Sequence, residues 1–158
     1  MGSNNLNQAV ILAGGLGTRL RPITDKFPKP MIEINGKPFI DYLLNYLSSQ
    51  EIKNVIILSG YKSEIIERHV GDGSKYGVSL TFSRLDAEFQ TSERIFNCLD
   101  KLHNEFLLMY CDNFLPLNIK EMASNFFNHG KSAQITVYSN KYSMTKNNVY
   151  YKKNKLLK

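Results

Sequence analysis

Three glycines inside four residues, with two cations spaced behind them, are the groups in this chain best suited to handle an anion. Leu12-Ala13-Gly14-Gly15-Leu16-Gly17-Thr18-Arg19 overlaps the end of the short apolar run Ala9-Val10-Ile11-Leu12-Ala13. Glycines at the carboxyl end of a strand let backbone N–H groups approach a phosphate chain that any Cβ would hold away. Lys29 follows ten residues after Arg19, in Phe27-Pro28-Lys29-Pro30-Met31. Prolines on both sides fix the dihedrals around this lysine, so its ammonium is aimed with little freedom left to lose. Alone, Arg19 reads as a surface residue and Lys29 as a solvated turn. Together with the glycines they read as the catalytic cations of a phosphate site.

Two familiar phosphate loops do not fit. Walker A requires Gly-Lys-Ser/Thr where this chain has Gly17-Thr18-Arg19, and the dinucleotide fingerprint requires a glycine where Leu20 stands. The next strand ends in Ser59-Gly60 without the acid that holds a ribose.

The elements that must position these groups alternate in type. Ala9–Ala13 and Asn54–Ser59 are continuous apolar runs, as in strands buried on both faces of a parallel sheet. Pro38 opens a helix ending near Ser49, and Ser63–Val70 reads as a second helix before Gly71. Val78–Ser83 is the next strand. Thr91 or Ser92 can cap a helix with Ile95, Leu99 and Leu102 facing inward. Phe106–Cys111 reads as a strand, 118–128 as a helix, Ala133–Tyr138 as a strand, and Val149–Tyr151 with Lys155–Leu157 as a hairpin. Strand alternating with helix predicts an α/β fold: a three-layer α/β/α, Rossmann-like, mostly parallel sheet. Neither repeat nor linker divides residues 1–158, so one domain is expected. The half-formed hairpin near Lys158 predicts that this domain is incomplete at its C-terminus.

The 158 residues are 42% hydrophobic, 11% aromatic and 22% charged, a globular composition. A chain of this size hides roughly 70% of its unfolded surface and needs no disulfide or structural metal. Cys98 and Cys111 form no CxxC and are read as reduced thiols of a cytoplasmic protein. No apolar run nears the ~20 residues of a membrane helix, and the polar start lacks a secretory signal, so no membrane partner is expected. The net charge of +6 is uneven. Residues 1–121 hold 13 Lys and Arg against all 14 Asp and Glu, whereas 122–158 hold seven Lys and no acid. Tyr142, Tyr150 and Tyr151 lie among those lysines, but scattered lysines without arginine describe a solvated edge better than a nucleic-acid surface. His69, His103 and His129 lie apart in sequence and join no site.

Gly14-Gly15-x-Gly17-Thr18-Arg19-Leu20, Thr24, Pro28-Lys29-Pro30-Met31 and Gly36-Lys37-Pro38 together resemble the N-terminal half of the sugar-phosphate nucleotidyltransferases, which make NDP-sugars and pyrophosphate from an NTP and a sugar 1-phosphate. Cofactor guanylyltransferases share the glycine loop but usually lack Pro-Lys-Pro. The resemblance implies an enzyme of that class with NTP and sugar 1-phosphate as partners. It implies Leu12, Ala13, Gly14, Gly15, Gly17 and Thr18 as nucleotide contacts, and Arg19 and Lys29 as the groups that offset transferred charge. It further implies Mg²⁺ on Asp112, which matches the family's Gly-Asp pair with Cys111 in place of the glycine. Without the resemblance, Asp112 reads equally well as a turn cap. The pattern looks most like heptose- and mannose-phosphate guanylyltransferases, with cytidine the competing base; a homo-oligomer is left open.

The chain departs from that pattern twice. Where relatives carry a glycine-rich stretch against base and ribose, it has Gln90-Thr91-Ser92-Glu93-Arg94, which makes Gln90 and Arg94 the candidate contacts to base or phosphate. Glu93 and Arg94 also suit an ordinary first helical turn. The family's second metal-binding Asp lies beyond Lys158. The competing expectation is therefore a nucleotide-binding or regulatory homologue without turnover.

Overall fold

The computed structural model describes residues 6–140 together with 142, 144, 149, 151, 152, 155 and 156. Two compact units divide the chain, residues 1–124 and 125–158. In chain order the elements are β1 Gln8–Ala13, β2 Glu33–Ile34, β3 Lys37–Pro38, α1 Phe39–Ser49, β4 Asn54–Ser59, α2 Ser63–Val70, β5 Ser79–Arg84, α3 Thr91–Phe96, β6 Leu107–Tyr110, α4 Ile119–His129, β7 Tyr151–Lys152 and β8 Lys155–Leu156. The central sheet runs β5-β4-β1-β6 and every pairing in it is parallel.

All six residues of β1 are buried, because it lies between two strands and under helices on both faces. On one face Ala9, Ile11 and Ala13 meet Ile40, Leu43, Leu44 and Leu47 of α1 and Ile66 and Val70 of α2. On the other, Val10 and Leu12 meet Cys98, with Ile95 and Leu102 packed beside them. The period of two thus sends alternate side chains into separate cores and gives the three layers. Each fully buried Ile or Leu contributes about 1.5–3 kcal/mol. The helices on the first face are also joined through Asp41, which is 8% exposed and accepts from Tyr76 Oη at 2.6 Å while lying 2.7 Å from His69 Nε2.

Several expectations need correction. The helix-starting cap at α3 is Gln90, not Thr91 or Ser92: its backbone N–H donates to Glu93 Oε2 at 2.7 Å in a reciprocal capping box. That helix ends at Phe96, so Leu99 falls in a 3₁₀ turn and is 53% exposed. Ala133–Tyr138 has strand propensity but is exposed and forms no strand. The terminal hairpin does form, with Tyr151 opposite Leu156 and Lys152 opposite Lys155. Tyr150 and Leu157, assigned to it from sequence, lie outside the described residues, as do residues 1–5.

Candidate functional site

A cavity of about 840 Å³ opens at the carboxyl ends of β1 and β6. Leu12, Gly14, Gly15, Gly17, Thr18, Arg19, Lys29, Gln90, Arg94 and Asp112 all line it. Of the site residues expected from sequence only Ala13 stands apart, 2% exposed in the core under α1.

The three glycines are there for three different reasons. Gly17 has φ +66°, a left-handed conformation, and a Cβ on it would meet Thr24 Cγ2 at 2.9 Å. Thr24 is buried and its Oγ1 donates to the Gly17 carbonyl at 3.0 Å, which fixes the turn Thr18–Leu20 that carries the exposed Arg19. Gly15 is exposed, and the space a Cβ would take holds no atom within 4 Å. Gly14 is buried, and a Cβ there would fall 2.2 Å from the Arg94 guanidinium. The space a side chain would take at Gly14 is thus filled by Arg94, while Gly14 itself lines the cavity.

Lys29 opens a 3₁₀ turn, Lys29–Met31, and the prolines on either side of the lysine, Pro28 and Pro30, are both buried. From this fixed base its ammonium forms an ion pair with the Asp112 carboxylate, just past the end of β6. Both side chains keep solvent access, 25% and 34% exposed. Cys111, the residue before Asp112, donates its backbone N–H to the Leu12 carbonyl at 3.1 Å and is 7% exposed. Burial, reinforced by the neighbouring Asp112 charge, pushes its thiol up to about 12.

Arg94 behaves differently from the base- or phosphate-contacting residue expected. It is 5% exposed, and all five of its N–H groups point at backbone carbonyls. Nε donates to Phe89, Nη1 to Ser59 and Leu85, and Nη2 to Gly14 and Asp86, at 2.5 to 3.4 Å. Desolvation lowers its pKa, with Asp86 and Glu93 acting in the opposite direction. No donor is left over for a ligand. Gln90 keeps its exposed place on the cavity while capping α3.

The sequence matches the family described as "Nucleotidyl transferase" over residues 8–150. The chain belongs to this family. Among the curated members it resembles are the D-glycero-alpha-D-manno-heptose 1-phosphate guanylyltransferase of Campylobacter jejuni, 36% identical over 75% of this chain and 53% of that protein, and the choline-phosphate cytidylyltransferase of Streptococcus pneumoniae, 36% identical over 71% and 47%. The crystal structure of HddC from Yersinia pseudotuberculosis complexed with GMP-PN superposes with a TM-score of 0.70 at 30% identity, covering 78% of this chain and 55% of that one. This nucleotidyl transferase chain therefore spans about half the length of the curated relatives it matches.

Sequence reasoning missed the wall residues Phe89, Ser92, Ile95 and Tyr110 and the close packing at Gly60. A Cβ on Gly60 would meet the Leu85 and Gly14 carbonyls at 2.6 and 2.7 Å. The one available signal was a glycine directly behind the second apolar run, matching the position of Gly14 behind the first.

Proposed function

We propose that this chain is the nucleotide-binding part of a sugar-1-phosphate nucleotidyltransferase. A sugar-phosphate oxygen attacks the α-phosphorus of an NTP, the bond to the bridging oxygen breaks, and pyrophosphate leaves. The carrying observation is a single cavity lined by the open face of Gly15, the Thr18 turn, Arg19, Lys29 and Asp112. Backbone N–H groups around Gly15 and Thr18 receive the phosphates. Arg19 and Lys29 offset the charge that builds on the α-phosphoryl oxygens and the departing pyrophosphate. Asp112 suits Mg²⁺, an ion commonly held by one or two carboxylates with phosphate oxygens and water completing its shell. No group of three or more His, Cys, Asp or Glu stands together among the described residues, so phosphate and water would supply the other ligands. When bound, the ion adds positive charge at the transferred phosphoryl group.

Guanine is the favoured base, supported by the heptose 1-phosphate guanylyltransferase and GMP-PN-bound relatives. Cytosine is the competing assignment, supported by the cytidylyltransferase relative. The buried free thiols Cys98 and Cys111 suit a reducing cytoplasm, and no helix among the described residues is long and apolar enough to cross a membrane.

The test mixes the full-length protein with Mg²⁺, each NTP in turn and a panel of sugar 1-phosphates, and measures pyrophosphate. Release with GTP and one sugar is the expected result, and release with CTP alone moves the base assignment. NTP binding with no release for any pair supports the non-catalytic homologue, and no NTP binding at all removes the proposal.

A further inference from the structure

Arg94 takes no part in the proposed chemistry, yet it is the most completely bonded side chain on the cavity. Its five carbonyl partners come from three separate stretches: Gly14 in the glycine loop, Ser59 at the end of β4, and Leu85, Asp86 and Phe89 between β5 and α3. We propose that Arg94 is the positioning residue of the nucleotide site: without touching the ligand, it fastens the Gly14 carbonyl to the Leu85–Phe89 loop, so that the amides after Gly14 and the Phe89–Gln90 wall are set as one unit. This deepens the nucleotide-binding reading and rests on it.

Two glycines are shaped to this guanidinium. A Cβ on Gly14 would lie 2.2 Å from Arg94 Cζ and Nη1, and one on Gly60 would lie 3.0 Å from Nη1. The planar fan of five donors is what joins the three stretches. A lysine offers three donors from one point and cannot serve five carbonyls spread around a plane. The latch also reaches the base side of the site, because Arg94 stands in the helix that Gln90 caps, and its Nε holds the Phe89 carbonyl next to that cap.

The experiment reads hydrogen exchange of the nucleotide-free chain at residues 61–63, where the Tyr61 N–H donates to the Gly14 carbonyl, and at 86–90, where the Phe89 and Gln90 N–H groups are bonded, together with binding of fluorescent GTP and CTP analogues. In Arg94→Lys, exchange rises at both stretches together by tenfold or more, and affinity for the better analogue falls by tenfold or more. Gly14→Ala reproduces both effects by displacing the guanidinium, and adding it to Arg94→Lys weakens binding less than twofold further. Exchange that rises at one stretch or neither overturns the latch, as do losses that multiply in the double variant. Should Arg94→Lys fail to fold, Gly14→Ala carries the test: faster exchange at 86–90 supports the latch and unchanged exchange there overturns it. A wild-type chain that binds neither analogue defeats the nucleotide reading instead, and the exchange result still judges the latch.

Discussion

Two cations line the same cavity and are held in opposite ways. Arg94 is buried, with every donor on a backbone carbonyl, whereas Lys29 is one-quarter exposed and has as its partner the Asp112 carboxylate. A ligand cannot replace five backbone contacts drawn from three segments. It can replace one accessible carboxylate, because a phosphate oxygen is likewise an anionic acceptor for an ammonium. One wall is therefore fixed by backbone contacts and the other holds a cation whose partner a ligand can replace, the wall proposed for the chemistry, although both cations line the same cavity. Pocket lining alone does not separate the two roles; the accounting of donors does.

The contrast breaks most visibly at Lys29. Lys29→Ala is expected to lower kcat for pyrophosphate release by about 10²–10³-fold, the usual cost of removing one transition-state charge partner, with the melting temperature nearly unchanged. A fall of less than fivefold at saturating NTP would place the chemistry elsewhere.

The glycines sharpen the same division on a smaller scale. Gly15→Ala puts a methyl into open space, so the fold is unaffected while NTP affinity drops on the order of tenfold, about 1.4 kcal/mol. Gly17→Ala must hold φ +66° against Thr24 and is expected to destabilise the fold by about 1–2 kcal/mol. Calorimetric binding and denaturant unfolding of the two variants check this. Equal effects of both substitutions on stability would erase the distinction between a ligand-facing and a conformational glycine. Smaller still is the apo-state value of the Lys29–Asp112 pair. With both side chains a quarter to a third exposed, Asp112→Asn should cost less than about 1 kcal/mol in unfolding experiments.

Much of this arrangement was legible in the sequence because it is carried by side-chain pattern. β1, α1, β4 and α2 follow from apolar runs and helical spacing, and the glycine loop with Pro28-Lys29-Pro30 announces itself by residue type. Arg94 was legible only as a cation near the site. Its partners are the carbonyls of residues 14, 59, 85, 86 and 89, and a carbonyl is present at every position, so nothing in the string marks those five. Ala133–Tyr138 failed for the converse reason: its alternation is correct, but propensity alone does not make a strand. Leu99 keeps helical spacing with Ile95, yet the helix stops at Phe96 and the turn carries it outward.

The smallest expected effect belongs to Cys111, which lines the wall proposed for the chemistry but is buried like Arg94. With its thiol pushed up to about 12, the thiolate fraction at pH 8 is about 10⁻⁴, against roughly a quarter for an ordinary cysteine. Raising the pH to 10 increases that fraction about a hundredfold and still leaves it near 1%. The folded chain is therefore expected to show almost no reaction with an aromatic disulfide reagent at pH 8, and slow reaction that climbs with pH above 9. Both Cys98 and Cys111 should react rapidly once denaturant unfolds the chain. Cys98 is fully buried on the opposite face of the sheet from Cys111, and its thiol is raised by desolvation as well. Quick modification at pH 8 in the native state, assigned to Cys111 by peptide mapping, would show that the Lys29–Asp112 side of the cavity opens further than the geometry indicates.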